Sequence, residues 1–432
     1  MRIILIKPYW PYPYSKGEDT YNRIWPPLCL ANCAALLEKD GHRVAILDAH
    51  AQRIIPNRIN RFIKEYDKIF ITSSSLDKWQ SPNIDITTFL ETVRYAKKVN
   101  DEVYIMGYHG TVKPEIILEL TGAMAVIRGE PEYTVLESCQ KKDLSEIEGI
   151  TFKENGKIIS TPQRELIDLK SLPIPAYHLV NFKKYFYEIL GRNFCLFEIS
   201  RGCKFKCRFC NKVMYGDGLR VKSKEQVFEE VSLGIEKYKV RTGYFIDLDF
   251  LSSREIVEEL CAYLIKKRYK FKWICQTRPD LLTQGILKIM KRAGCALMHL
   301  GIETGSQAVL DYFNKGISVA TIKAAVNLCR DAGIQTLVFF LFGLSGENKQ
   351  DRERTYKFIR ELNADFISLH RVIAYQGSFL QQHQVNPERQ LDKFLRYATA
   401  SYYMRPCYLS KLNLYTFWAG ARLFAGRMRT LK

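Results

Sequence analysis

Short apolar runs alternate with longer stretches of helical period along most of this chain. In its first third the runs lie at 3–6, 44–47, 69–72, 103–106 and 123–127, and helical periodicity occupies 27–39, 56–65, 84–98 and 113–120. Continuous apolar strands between amphipathic helices predict a parallel sheet covered on both faces. Residues 1–140 therefore read as a doubly wound, Rossmann-like domain, with ligands expected at the carboxyl ends of its strands. The rhythm breaks over 141–190. There Asn155-Gly156 separates two short runs, which predicts a β-hairpin, and Pro173 and Pro175 mark a linker. A second series follows, with runs at 195–200, 243–248, 272–276, 297–301, 336–342 and 366–370 and helical stretches between them. Six strand–helix units over 191–380 predict a partial (β/α)6 TIM-type barrel whose chemistry lies at the strands' carboxyl ends. The remainder, 381–432, reads as a short α-helical segment. From Phe394 onward it holds no Asp or Glu, and Leu414, Phe417, Trp418, Ala421, Phe424 and Met428 recur at helical spacing.

Composition narrows the class. The chain has 432 residues, and its 47% apolar content excludes a disordered chain. Lys plus Arg number 65 against 46 for Asp plus Glu, a net charge of +19 that favours an anionic partner: nucleic acid, an acidic membrane surface or a phosphate-bearing cofactor. The longest uninterrupted apolar stretch, 337–344, falls short of the ~20 residues that span a bilayer. The amino terminus reads as a strand and not as a signal peptide, so a cytoplasmic protein is expected. Of twelve cysteines, nine are scattered and three, Cys203, Cys207 and Cys210, crowd together, which suits reduced thiols with one metal-type cluster.

Residues 200–210 read Ser-Arg-Gly-Cys-Lys-Phe-Lys-Cys-Arg-Phe-Cys. Thiolates are the usual ligands of Fe–S clusters, and a cubane held by three of them leaves one iron open for chemistry. A structural zinc site would want a fourth ligand, and no His or Cys follows at matching spacing. Arg201, Lys204, Lys206, Arg208 and Lys212 surround the cysteines, and their charge is expected to lower the thiol pKa values.

This Cys-x3-Cys-x2-Cys, with an aromatic residue before its last Cys, resembles the motif of radical S-adenosylmethionine (SAM) enzymes. The resemblance implies that Cys203, Cys207 and Cys210 hold a [4Fe–4S] cluster whose fourth iron is chelated by SAM. One-electron reduction then cleaves SAM to a 5′-deoxyadenosyl radical. It further implies that Phe209 lies near the adenine, and that Glu303, within Gly301-Ile302-Glu303-Thr304-Gly305, approaches the SAM ribose and carboxylate. Gly343 belongs to a Gly-rich turn after the fifth strand. Asp247 and Asp249 stand where the family lines the SAM amine, although the family's frequent Gly-Gly-Glu is missing, and Arg278 is placed to meet the SAM carboxylate.

Pro26-Pro27-Leu28, Gly41-His42-Arg43-Val44 and Gly129-Glu130-Pro131-Glu132 resemble the cobalamin-binding branch of the same enzymes. The resemblance implies that Ser73, Ser74, Gly107, Tyr108, Gly129 and Glu130 hold the corrin and its tail. Asp48-Ala49-His50 begins a known cobalt-ligating motif but has Arg53 where its Gly should stand, so His50 reads as a strand-end residue. Cys29 and Cys33, four apart in a helical stretch, read as buried apolar side chains. The expected activity is methyl transfer to an unactivated carbon through the deoxyadenosyl radical and methylcobalamin. The alternative is a cyclase, oxidoreductase or ring-rearranging enzyme with the same cofactors. A methylthiolation enzyme acting on tRNA ranks lower, because its extra cysteines and RNA-binding barrel have no counterpart here, and a nucleic-acid partner is not expected. Expected partners are a small-molecule or lipid substrate and an electron donor such as flavodoxin or ferredoxin. The basic aromatic tail reads either as a cap beneath the barrel or as a peripheral contact with the inner membrane face.

Overall fold

The computed structural model describes residues 1–11, 23–76, 82–344, 346–375, 380 and 389–406. Its first sheet contains β1 (Arg2–Lys7), β2 (Arg43–Asp48), β3 (Lys68–Thr72), β4 (Val103–Met106), β5 (Ala125–Ile127), β6 (Ile150–Glu154) and β7 (Lys157–Ser160). The order is β2-β1-β3-β4-β5-β6-β7. The first five strands are parallel. This is the flavodoxin-type order of a doubly wound sheet, with its switch point between β1 and β3. β4 and β5 are buried throughout, as strands covered on both faces must be.

The expected hairpin at Asn155-Gly156 is present, but it does not stand in a linker. β6 pairs antiparallel with β5, Ile127 opposite Ile150, and β7 pairs with β6. The hairpin takes up the open hydrogen-bonding edge of β5, so the first sheet runs to Ser160 and not to residue 140.

Two short strands, β8 (Phe186–Tyr187) and β9 (Gly191–Arg192), lead into the second sheet. That sheet is built from β10 (Phe194–Phe197), then β13 (Thr242–Phe245), β14 (Lys272–Thr277), β15 (Cys295–Glu303), β16 (Gln335–Phe342) and β17 (Phe366–Arg371). All neighbours are parallel and consecutive in order. The run expected at 195–200 splits. After Phe197 the chain leaves the sheet, and β11 (Ser200–Cys203) pairs antiparallel with β12 (Gly218–Val221) as a separate ribbon. Asp247 causes the departure: its carboxylate accepts the backbone N–H of Ile199 and Ser200 and the Ser200 hydroxyl.

Burial on β16 alternates. Val338, Phe340 and Phe342 pack into the main core, whereas Leu337, Phe339 and Leu341 are only half-buried on the opposite face. His299 and His370 flank Phe339 on that face, with ring centroids 5.3 Å and 6.0 Å away. Among the helices, Lys224–Glu236 and Lys349–Leu362 begin with reciprocal capping boxes, Ser223 with Gln226 and Asn348 with Asp351. The last described helix, Arg389–Tyr403, docks beside β17. Tyr402 donates to the Ala364 carbonyl at 2.6 Å, and the Tyr403 hydroxyl accepts the Ile367 N–H at 2.9 Å. The basic amphipathic stretch expected at 414–428 lies outside the described residues. Among the described residues no helix is long and apolar enough to cross a membrane.

Candidate functional site

The ribbon β11–β12 delivers the first of the three clustered cysteines. Gly202 has φ +83°, and a Cβ placed there would lie 2.1 Å from the Gly218 carbonyl oxygen, so only glycine lets the two strands close. Cys203 ends β11, and Cys207 and Cys210 follow in a loop turned by the Cys210 N–H to Cys207 C=O bond. The loop is anchored to residues 312–315: the Arg208 N–H bonds the Phe313 carbonyl, and the Asn314 amide bonds that of Lys206. None of the three is in a disulfide, and all are partly exposed.

At Cys203 and Cys210 the surrounding cations do not lower the thiol pKa as the sequence suggested, because desolvation outweighs them. Burial raises the Cys203 thiol and pushes Cys210 up to about 12. Cys207 and Cys203 add to the shift at Cys210, and Lys212 and Lys315 oppose it. Three neighbouring thiolates are thus costly without a cation between them, and a thiolate-ligated iron–sulfur cluster supplies that charge. The chemistry of the donor set suits such a cluster, although among the described residues no three such side chains are grouped as they would be around a bound metal.

The charged residues at the ends of the second sheet are already engaged with the protein. Asp247 holds the backbone at 199–200, and burial raises its carboxyl to about 7 against the pull of those hydrogen bonds. Asp249 accepts from the Thr277 hydroxyl at 2.6 Å and the Arg278 N–H at 3.1 Å. Both aspartates expected at the SAM amine therefore spend oxygens on shaping the loops. Arg278, expected at the SAM carboxylate, turns toward the cysteine loop and reaches Cys207 Sγ at 3.4 Å. Phe209 and Glu303, far apart in sequence, do meet, and with Thr304, Phe313, Lys315 and Leu344 they line a small hollow beside the cysteines. Glu303 adopts φ +72°, a backbone strain at the point where its carboxylate pairs with Lys315 at 3.0 Å. Burial pulls the Lys315 ammonium down, but Glu303 outweighs it and leaves Lys315 above the ordinary lysine value. Gly343 precedes Leu344, has φ +82°, and gives its N–H to Glu347 at 2.6 Å.

The strand ends of the first sheet look different. Ser73 accepts the His109 N–H at 3.1 Å, the Ser74 hydroxyl is buried without a partner, and Gly107 and Gly129 have φ +99° and +73°. Small residues at strand ends permit close approach of a ligand to the backbone, and here all four are buried. Tyr108 accepts from the Asn211 amide at 3.1 Å, and Asn211 directly follows Cys210. His50 is buried with neither ring nitrogen bonded, edge-on to Tyr9 and Trp10, and burial together with Lys7 keeps it neutral. Cys29 and Cys33 are buried in the helix Leu28–Lys39, as expected.

Glu130, expected at the corrin, instead joins a charge network between the two sheets. Arg201, two residues before Cys203 and 1% exposed, donates to Glu130 at 3.0 Å, Glu132 at 2.6 Å and Glu198 at 3.1 Å. Arg220 of β12 adds two bonds to Glu130, both at 2.9 Å. Burial alone would weaken the Arg201 cation, but the three carboxylates hold it well above the usual arginine value. Sequence reasoning counted Arg201 as a neighbour of the thiols and missed its partners, along with Lys315; it marked the stretch from Asn211 to Arg220 only as a source of substrate contacts. The adjacent Gly129-Glu130-Pro131-Glu132 and Ser200-Arg201-Gly202-Cys203 motifs were the available signal.

Residues 197–359 match the radical SAM superfamily. An uncharacterized methyltransferase of Pyrococcus horikoshii is 28% identical over 95% of this chain and 94% of its own length. An anaerobic magnesium-protoporphyrin IX monomethyl ester cyclase of Rubrivivax gelatinosus is 27% identical over 84% of this chain and 66% of its own. Among solved structures, the radical SAM methyltransferase TsrM of Kitasatospora setae superimposes with a TM-score of 0.70 at 17% identity, over 85% of this chain and 72% of that one. The cobalamin-dependent SAM radical enzyme OxsB gives 0.68, also at 17% identity, over 88% and 56%. The likeness in fold therefore extends beyond the segment 197–359 that matches the radical SAM superfamily, and includes the first sheet.

Proposed function

We propose that this chain is a cobalamin-dependent radical SAM methyltransferase acting on an unactivated carbon of a small molecule. The observation that carries the reading is the joint between the sheets. Arg201 with Glu130 and Glu132, and Tyr108 with Asn211, tie both flanks of the cysteine loop to the strand ends of the first sheet. A ligand on the glycine- and serine-rich ends of that sheet is thereby held facing the cysteines. The likeness to TsrM and OxsB and the methyltransferase relative support the same assignment.

Cys203, Cys207 and Cys210 would hold the [4Fe–4S] cluster, and Phe209, Glu303 and the backbone at Gly343 would receive SAM. Ser73, Ser74, Gly107, Tyr108 and Gly129 would receive cobalamin, with Glu130 acting through Arg201 instead of on the corrin. When bound, these cofactors supply a deoxyadenosyl radical and a transferable methyl group. The protein's share is placement and exclusion of water. Lys315 orients Glu303, Asp247 and Asp249 fix the loops, and the half-buried face of β16 with His299 and His370 offers the substrate an aromatic wall within a partial barrel. A low-potential electron donor such as flavodoxin or ferredoxin would serve the cluster. Contact of the basic tail with a membrane would favour a lipid substrate. The cyclase relative favours a second reading, in which the same site closes a ring without methyl transfer.

The test is anaerobic reconstitution with iron, sulfide and hydroxocobalamin, followed by mass analysis of SAM products under reductant. Methyl transfer predicts 5′-deoxyadenosine together with S-adenosylhomocysteine and bound methylcobalamin, the deoxyadenosine vanishing in Cys203→Ala. Deoxyadenosine without methylcobalamin would support the second reading, and the absence of bound corrin would overturn the cofactor assignment.

A further inference from the structure

We infer that Arg278 tunes the iron–sulfur cluster, making it easier to reduce through its contact with Cys207. This rests on the proposed cluster site and adds a role for a residue whose family resemblance suggested a SAM contact. A guanidinium has five N–H donors. Here Nε and Nη2 grip Asp280 at 2.9 and 3.1 Å, Nη2 also bonds the Lys315 carbonyl at 2.6 Å, and Nη1 reaches Cys207 Sγ at 3.4 Å. Its flat face lies 3.8 Å from the centre of the Phe205 ring, within the cysteine loop itself. One donor remains for anything else. The side chain is 6% exposed, and three segments hold it: the end of β14, the cysteine loop and the turn at Lys315. Its aim at the sulfur is therefore fixed before any ligand arrives.

Reduction adds one electron, and so one negative charge, to the cluster, supplied by an external low-potential one-electron donor. A cation whose N–H points at a ligand sulfur stabilises the more negative state more than the less negative one. Burial of the guanidinium strengthens the effect, because little water screens it. Asp280 offsets part of the charge but lies on the Nε side of the fork, so the end facing Cys207 remains donor-rich. Arg278 is a positioning residue for SAM only indirectly, through the cluster it faces.

The experiment is an EPR-monitored reductive titration of the reconstituted full chain without SAM or substrate, comparing Arg278→Met, Arg278→Lys and Asp280→Asn. Arg278→Met is expected to make reduction about tenfold less favourable, a midpoint about 59 mV more negative for one electron. Arg278→Lys, which keeps the charge but loses the fork, is expected to fall between the two. Asp280→Asn removes the carboxylate that offsets part of the guanidinium's charge and leaves the cation itself in place; it is expected to shift the midpoint in the opposite direction, toward easier reduction, and by less. A purely structural role would lower iron content and leave the midpoint of the remaining clusters unchanged. An unmoved midpoint in Arg278→Lys and Asp280→Asn overturns the inference even if Arg278→Met does not fold. If the wild-type chain itself assembles no cluster, the cofactor assignment fails instead.

Discussion

The two sheets present opposite kinds of surface at their carboxyl ends. The first ends in Ser73, Ser74, Gly107, Tyr108 and Gly129: small or neutral groups, all buried, with positive φ at the two glycines. The second ends in Asp247, Asp249, Arg278 and Glu303, nearly every one bonded to another part of the protein. A bulky ligand that docks by shape needs room and backbone donors, whereas a small zwitterion and a charged cluster need fixed charges whose own fields are balanced. If the first surface receives cobalamin and the second SAM and the cluster, as proposed, ligand size as well as ligand charge would set the composition of a strand end. Where the surfaces meet, the chain places Arg201, a buried cation bonded to three carboxylates.

Removing that cation is the harshest way to break the contrast. Arg201→Met leaves Glu130, Glu132 and Glu198 facing one another, and breaking a buried charge network by deleting one partner costs about 3–5 kcal/mol. Urea unfolding should show that loss, and calorimetry should split one transition into two as the sheets uncouple. Arg201→Lys is expected to recover only part, since one ammonium cannot serve three carboxylates.

Asp247 offers a pH test of the second sheet. Its folded pKa of about 7 lies above the unfolded value near 3.9, so the folded chain binds more protons between those limits. Its contribution is fully present below about pH 4 and is lost as pH rises to 7, by at most about 1.4 kcal/mol per pH unit. Asp247→Asn cannot titrate. Relative to wild type it should lose stability below pH 4, where an amide donor replaces an acceptor, and regain it as pH rises to 7. Urea midpoints measured across that range decide the matter; parallel curves would show that the carboxyl stays ionised.

How much of this was legible follows from sequence distance. The strands of both sheets declare themselves as apolar runs because burial on two faces admits little else. The three cysteines are legible because their spacing is local. The hairpin β6–β7 was visible, but its attachment to β5 was not, since one edge strand accepts a hairpin as readily as another and no residue marks the choice. Phe209 and Glu303 could be paired only through resemblance, being 94 positions apart in the numbering. The bonds of Asp247 to residues 199–200 and of Asp249 to Thr277 and Arg278 were not legible: a strand-end aspartate reads alike whether it meets a ligand or the next loop. Arg201 was noticed for its nearness to Cys203, while its carboxylates at 130 and 132 stand 71 and 69 residues away.

A milder break leaves the charges alone and acts on the ribbon that carries Cys203. In Gly202→Ala the new Cβ meets the Gly218 carbonyl at 2.1 Å, and φ +83° is strained for any other residue. The backbone cost is about 1–3 kcal/mol. Iron bound per chain should fall several-fold with the helical circular dichroism intact, because the ribbon belongs to neither large sheet. Equal loss of iron and of helical signal would instead make the ribbon a general folding element.

The smallest change asks whether the neutral seam matters beside the charged one. Tyr108→Phe removes only the hydroxyl that accepts from Asn211, a bond worth about 1 kcal/mol. The ring stays against Tyr375, with centroids 6.3 Å apart, so packing is preserved. Asn211 follows Cys210, yet the loop keeps its anchors at Phe313 and Asn314, and deoxyadenosine formation should change less than twofold. Corrin retention after gel filtration should fall by more, because Tyr108 lies at the strand end proposed to receive it. If both fall together, the seam is one cooperative unit and the two surfaces are not separable. If only corrin retention falls, the neutral seam serves the first sheet alone, and the burden of joining the sheets rests on Arg201.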